Sequence, residues 1–130
     1  MRILLDTQTW LWISLAPQRL SARARSIVET EAKVLFVSAA SAWEIAIKHA
    51  KGKLRLPEAP ETYVPSRMDA LHMVPLPIVH AHALRVTALP RHHGDPFDRL
   101  LIAQAQVEDL AIMTADPKFA AYDVTIIAAS

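Results

Sequence analysis

The sequence predicts an α/β domain of three layers, in which a mainly parallel sheet of roughly five strands lies between helices. Two patterns support this prediction. Short apolar runs alternate with helical segments along the chain, as they do in βαβ units. The runs are apolar throughout instead of at every second residue, which is typical of parallel strands buried on both faces. The 130 residues, 52% of them hydrophobic, suffice for a packed core, and we expect a single domain over residues 1–130.

The apolar runs are the predicted strands. The first run ends at a charged residue, Asp6, and the second combines β-branched and aromatic side chains. In a parallel sheet the carboxyl ends of neighbouring strands meet at one edge, and ligand sites lie beyond that edge. The predicted strands are residues 2–5, 34–37, 72–76, 111–114 and 124–127.

Capping residues mark the predicted helices. Ser21 can cap the second helix, and Gly52 is the expected end of the third. Pro77 suits the first turn of the fifth helix, and Asp95 followed by Pro96 opens the sixth. The predicted helices are residues 7–15, 21–32, from Ser38 or Ser41 to about 51, 60–71, 77–89 and 95–108, with a short turn after Asp116.

Composition excludes several classes of protein. The chain has 0 Cys, so neither a disulfide framework nor a thiolate metal site is expected. Its 2 Gly are too few for a phosphate-binding loop or a dinucleotide fingerprint. No apolar run approaches the roughly 18 residues that span a bilayer, and charges come too early for a signal peptide. We therefore expect a cytoplasmic protein that does not enter a membrane.

Acidic residues follow the predicted strands at positions that bring them together. Asp6 comes directly after the first strand and Asp116 just after the fourth, so both reach the same edge of the sheet. Asp95 and Asp98 open the helix that leads into the fourth strand. Glu44 lies in the first half of the helix after the second strand, within an apolar segment. The pattern predicts a cluster of carboxylates in a cleft.

Carboxylates in one cleft repel one another, and a cation would compensate for their charge. Mg²⁺ suits such a site because it prefers oxygen ligands and binds through a few carboxylates plus substrate phosphate; Mn²⁺ accepts the same ligands. Each acid also has a structural interpretation. Asp6 and Asp95 could cap helices, and Asp98 could complement a helix dipole. Asp116 could be a turn residue, and Glu44 could lie on the surface.

Four segments of the chain resemble the PIN domains and, among them, the VapC-type toxins of bacterial toxin–antitoxin pairs. They occur in the family's order and at roughly its separations, and the resemblance extends over nearly the whole chain. The segments are LLDTQTWLW at 4–12, SAWEIAIK at 41–48, GDPFDRLLIAQA at 94–105 and TADPKF at 114–119.

The resemblance implies a three-layer PIN fold and an endoribonuclease that cuts RNA with Mg²⁺ or Mn²⁺. Asp95 would either join the metal ligands or only cap its helix. Thr114, and similarly Thr7, would support an acidic neighbour, whereas Gln8 stands where related sequences often have His. The implied catalytic and metal-binding residues are Asp6, Glu44, Asp98 and Asp116.

The resemblance also implies partners: an RNA substrate, a second copy of the chain in a homodimer, and a VapB-like antitoxin whose tail covers the site. Aromatic residues are enriched as anchors in protein interfaces. Four aromatic residues are expected near the rim of the predicted cleft, although core packing is the plainer interpretation for them: Trp10, Trp12, Trp43 and Phe97. We expect no His-based metal site, because suitably spaced partner ligands are not evident. His92 or His93 could instead touch substrate phosphate, and Arg99 could contact RNA or pair with a carboxylate. The alternative function is an RNA- or protein-binding module without nuclease activity.

Overall fold

The computed structural model describes residues 1–31 and 33–130 and contains a five-stranded sheet in the order β3-β2-β1-β4-β5. The four strand pairs formed by these residues are all parallel, which confirms the predicted α/β class. Each predicted strand is present, with ends shifted by a few residues. The strands are β1 Arg2–Leu5, β2 Val34–Ser38, β3 Val74–Leu76, β4 Ala111–Thr114 and β5 Ile126–Ala128.

The helices lie close to their predicted positions. Two short 3₁₀ turns, Pro17–Arg19 and Pro117–Ala121, follow α1 and β4. The second helix ends at Glu29, earlier than expected, and its predicted end at Ala32 lies outside the described residues. The helices are α1 Thr7–Leu15, α2 Ala22–Glu29, α3 Ala39–Ala50, α4 Pro60–Ala70, α5 His80–Val86 and α6 Pro96–Glu108.

Side-chain caps fix where two of these helices begin. Ser38, not Ser41, caps α3, because the Ser38 Oγ accepts a hydrogen bond from the Ala40 N–H at 3.0 Å. The prediction that Pro77 opens α5 is wrong: the helix begins at His80. The Val79 N–H just before it donates to the Nδ1 of His82 at 3.1 Å, which satisfies one of the N–H groups at the start of the helix.

The core has two parts, one on each face of the sheet. Successive residues of a strand point to opposite faces, so Leu5 packs with Trp10 and Ile45 on one side. Leu4 packs on the other side with a second set of buried side chains, which includes Leu101. Burial on both faces explains why the strands are apolar at every residue. None of the helices among the described residues is both long enough and apolar enough to cross a membrane.

A buried polar contact joins α6 to the carboxyl ends of two strands. The Gln104 side chain is fully buried; its Oε1 accepts a hydrogen bond from the Ser38 Oγ at 2.6 Å, and its Nε2 donates to the Pro77 carbonyl at 3.3 Å. Ser38 ends β2, and Pro77 follows β3. This contact positions α6, which carries Asp98, over the edge where the acidic residues meet.

Candidate metal centre

Asp6 is held at the end of β1 by two hydrogen bonds. Its Oδ1 accepts from the Thr9 N–H at 2.8 Å, which caps α1, and its Oδ2 accepts from the Thr114 Oγ1 at 2.6 Å. The residue is only 5% exposed. Burial raises the pKa of the Asp6 carboxyl above 3.8, and the nearby charge of Asp116 adds to this, while the bonds from Thr114 and Thr9 lower it.

Thr114 connects Asp6 to Asp116 at the end of β4. The Thr114 hydroxyl donates to Asp6 and accepts from the Asp116 N–H at 3.0 Å. Asp116 begins the 3₁₀ turn, because its Oδ1 accepts from the Lys118 N–H at 2.9 Å. Thr114 therefore supports two acidic residues, as the resemblance implied. Thr7 does not: its hydroxyl donates to the Ser41 Oγ at 2.9 Å.

Asp95 and Asp98 occupy the start of α6 with different roles. The Asp95 Oδ1 accepts a hydrogen bond from the Asp98 N–H at 3.0 Å, which makes Asp95 the N-cap. The Asp98 carboxylate does not cap the helix; its Oδ2 lies 2.8 Å from the Nε2 of His93. The structural role of Asp95 as a cap is therefore filled, and its membership of a metal site remains a prediction.

His93 lies between two of the expected acids. Its Nε2 is 2.8 Å from Asp98 Oδ2 and 3.4 Å from Asp116 Oδ2, and its side chain is 8% exposed. Within the described part of the chain, these side chains form a group of three whose ligand atoms all lie within 4.8 Å of one another. Sequence reasoning considered His93 only as a phosphate contact and missed this position. A His shortly before a helix-capping Asp was the available signal.

Glu44 of α3 is close enough to Asp98 for its charge to act on that carboxyl. One oxygen, Oε2, pairs with the Lys48 Nζ at 3.0 Å. The other, Oε1, is buried and has no hydrogen-bond partner among the described residues. An unpaired buried carboxylate oxygen is costly unless a ligand or ion satisfies it. The charge of Glu44 also acts on Asp98, which places the two carboxylates in one electrostatic cluster.

Among the acidic residues of the site, Asp98 has the most strongly raised pKa. Its pKa rises from 3.8 to about 7, first because it is buried and then because of the negative charges of Asp95 and Glu44. The hydrogen bond from His93 and the His93 charge act in the opposite direction. The residues present fit a divalent cation for two reasons. Burial raises the pKa of the Asp6 and Asp98 carboxyls, and a cation would stabilise their charged forms. The buried Oε1 of Glu44 also has no hydrogen-bond partner among the described residues.

Tyr122 and Arg99 hold the loop that carries His93. The Tyr122 Oη accepts hydrogen bonds from the N–H groups of His92 and His93 at 3.1 and 2.9 Å. Arg99 donates to the carbonyl of Pro90 at 2.9 Å and to that of Val86 at 3.0 Å. These contacts show a structural role for Arg99, which forms no ion pair with a carboxylate among the described residues. Its other expected role, contact with RNA, stays a prediction.

The aromatic residues expected near the cleft divide into core and rim. Trp10 is fully buried and packs edge-on against Tyr63, and Trp12 is half-buried with Arg19 over its ring. Trp43 is 63% exposed and contacts Phe97 with ring centroids 5.4 Å apart. These two residues are the chain neighbours of Glu44 and Asp98, so the aromatic contact joins the helices that carry these two acids, α3 and α6.

The parallel five-stranded sheet between helices defines an α/β domain of a known class. The sequence profile of the PIN domain matches residues 3–124, so the chain belongs to the PIN-domain family. Ribonuclease VapC16 of Mycobacterium tuberculosis is 46% identical over 72 residues, which are 55% of this chain and 48% of that protein. The matched region thus spans about half the length of that relative.

Solved structures share the architecture over nearly the full chain. VapBC2 from Rickettsia felis, solved with a fragment of promoter DNA, has a TM-score of 0.74 at 11% identity over 98% of each chain. FitAcB from Neisseria gonorrhoeae has a TM-score of 0.63 at 20% identity over 97% of this chain and 96% of its own. A toxin–antitoxin complex from Klebsiella pneumoniae has a TM-score of 0.61 at 17% identity, over 97% and 96%. At these identities the likeness shows the fold alone.

Proposed function

We propose that this chain is a divalent-metal-dependent endoribonuclease and the toxin of a toxin–antitoxin pair. The supporting observation is the convergence of acidic side chains at the carboxyl edge of the sheet, with a buried oxygen of Glu44 left unpaired. The likeness to Ribonuclease VapC16 favours RNA as the substrate. We further propose that residues 1–130 act as a single PIN domain in the cytoplasm, where such a substrate is found.

The proposed site uses the carboxylates to hold either Mg²⁺ or Mn²⁺, with Asp95 as a further candidate ligand. When bound, such a cation lowers the pKa of water and stabilises negative charge at phosphorus. The other contributions come from the chain. Thr114 orients the carboxylate of Asp6 and the backbone of Asp116, and the half-exposed Lys48 ammonium pairs with Glu44. The proposed catalytic ligands are Asp6, Glu44, Asp98 and Asp116.

Removal of the metal provides the direct test. We expect the purified protein to cut single-stranded RNA with added Mg²⁺ or Mn²⁺, to lose this activity in excess chelator, and to regain it when the cation is restored. Gel analysis of a labelled RNA measures the cleavage, and the Asp98→Asn variant purified in parallel controls for contaminating ribonuclease. RNA binding without cleavage under all conditions would support the alternative, a binding module, and would contradict the proposed enzyme.

The partners of the chain are also proposed. We infer a VapB-like antitoxin that covers the acidic site, because the compared structures include toxin–antitoxin complexes. The resemblance to VapC-type toxins is the basis for inferring a homodimer as well. The exposed Trp43 and its neighbour Phe97 offer an apolar anchor for the antitoxin.

Light scattering of the purified protein is expected to give twice the 14.4 kDa mass of one chain. A monomer at high concentration would contradict the dimer, and the absence of a short antitoxin-like reading frame upstream of the gene would weaken the antitoxin proposal.

A further inference from the structure

We propose that His93 is a direct nitrogen ligand of the divalent cation and makes the site prefer Mn²⁺ to Mg²⁺. The inference deepens the proposed function and rests on its metal site. It starts from the group of three side chains within 4.8 Å of one another, in which His93 stands with Asp98 and Asp116. The sequence positions of the acidic residues and their capping roles do not by themselves predict a histidine between Asp98 and Asp116.

The distances around His93 suit a shared ion. Ligands about 2.1 Å from a metal and at right angles to each other lie roughly 3 Å apart. The Nε2 of His93 is 2.8 Å from Asp98 Oδ2 and 3.4 Å from Asp116 Oδ2. These separations are those of neighbouring positions in one octahedral coordination sphere, so an ion could bind with only small movements of the side chains.

The imidazole is held in this orientation from several sides. Tyr122 accepts the backbone N–H groups of His92 and His93, and the His93 ring packs edge-on against the buried Phe119 at 6.1 Å between centroids. The other ring nitrogen, Nδ1, accepts only a long contact of 3.4 Å from the Asp95 N–H. Coordination through Nε2 would place the ring proton on Nδ1 and break this weak contact. It would also replace the 2.8 Å hydrogen bond between Nε2 and Asp98, because the ion would then bind both side chains.

A nitrogen ligand changes the selectivity of the site. Mg²⁺ is a hard ion that binds oxygen almost exclusively, whereas Mn²⁺ accepts carboxylates and also tolerates imidazole. A site of carboxylates alone would discriminate little between the two ions. The presence of His93 beside Asp98 and Asp116 therefore favours Mn²⁺.

Pulsed electron paramagnetic resonance of the Mn²⁺-loaded protein tests the assignment. We expect a ¹⁴N coupling in the wild type, its replacement by a ¹⁵N coupling in protein labelled at histidine, and its loss in His93→Gln. His92→Gln, an exposed neighbour of the same residue type, is the matched control and should keep the coupling. The labelled wild type needs no substitution, so the assignment of the coupling to a histidine does not depend on the folding of a variant. His93→Gln then identifies which histidine it is.

Titration of the metal-free proteins supplies the second readout. His93→Gln is expected to weaken Mn²⁺ binding about 10-fold or more and to change Mg²⁺ binding by less than about 3-fold. If Mn²⁺ binds to the wild type with no nitrogen coupling, the role of His93 as a ligand is wrong and the carboxylate site stands. If Mn²⁺ does not bind at all, both this inference and the metal site of the proposed function are wrong.

Discussion

Replacement of Asp98 by Asn is expected to lower metal-dependent RNA cleavage by about 10³-fold, because the loss of a charged ligand removes several kcal/mol of stabilisation from the transition state. The change preserves the size of the side chain and an oxygen that can still accept a hydrogen bond from His93. The expected loss therefore reflects charge, with little contribution from altered packing. The cleavage rate is measured on a labelled RNA at saturating Mn²⁺.

The same substitution should stabilise the metal-free protein at alkaline pH. The pKa of Asp98 in the folded chain, about 7, lies above its ordinary value of 3.8. Its contribution to stability is thus fully present below about pH 4 and is lost as the pH rises through about 7. At pH 8 the folded wild type carries a disfavoured charge that the Asp98→Asn variant lacks. The substitution should therefore raise the free energy of unfolding by about 1–3 kcal/mol at pH 8 and leave it nearly unchanged at pH 4.

Thermal or urea unfolding in chelator, at pH 4 and pH 8, measures this difference. Asp123→Asn makes the same chemical change at an exposed position and is expected to alter neither cleavage nor the pH dependence. Saturating Mn²⁺ should reverse the order of stability, because the wild type gains more from the ion. An Asp98→Asn variant that cleaves RNA at the wild-type rate would contradict the proposed role of Asp98.

Thr114→Val is expected to reduce metal affinity or cleavage about 10–100-fold, although Thr114 is not itself a proposed ligand. Val has the shape of Thr without the hydroxyl, so Asp6 loses a 2.6 Å hydrogen bond and the Asp116 N–H loses its acceptor. That hydrogen bond lowers the pKa of Asp6, and its removal should raise the pKa further and make Asp6 a weaker ligand. The unpaired groups should also cost about 1–3 kcal/mol of stability.

Thr114→Ser separates these effects, because it restores the hydroxyl and removes only a methyl group. Its cleavage and Mn²⁺ affinity should lie close to those of the wild type. Thr125→Val makes the matched change at an exposed position just before β5 and should leave both quantities unchanged. Wild-type cleavage in Thr114→Val would show that the hydroxyl does not position the acidic residues.

Local sequence signals predicted the elements and the edge at which the acids gather. Asp6 follows a run that is apolar at every residue and caps the next helix, and both features depend on a few neighbouring residues. Asp95 with Pro96 opens α6 for the same reason. The wrong start of α5 shows the limit of such signals: Pro77 suits a first helical turn, yet its carbonyl is bound by Gln104, 27 residues further along the chain.

The sequence by itself determined that short buried strands would deliver Asp6 and Asp116 to one edge of a parallel sheet, because hydrophobic pattern and capping act over a few residues. Only the tertiary structure decided which other groups meet there. His93 joins the cluster because Tyr122, 29 residues away, accepts a hydrogen bond from its backbone N–H. Trp10 is buried and Trp43 is exposed because different parts of the chain pack around them. Contacts between distant residues depend on how the layers close on each other, and no local pattern of residues encodes that.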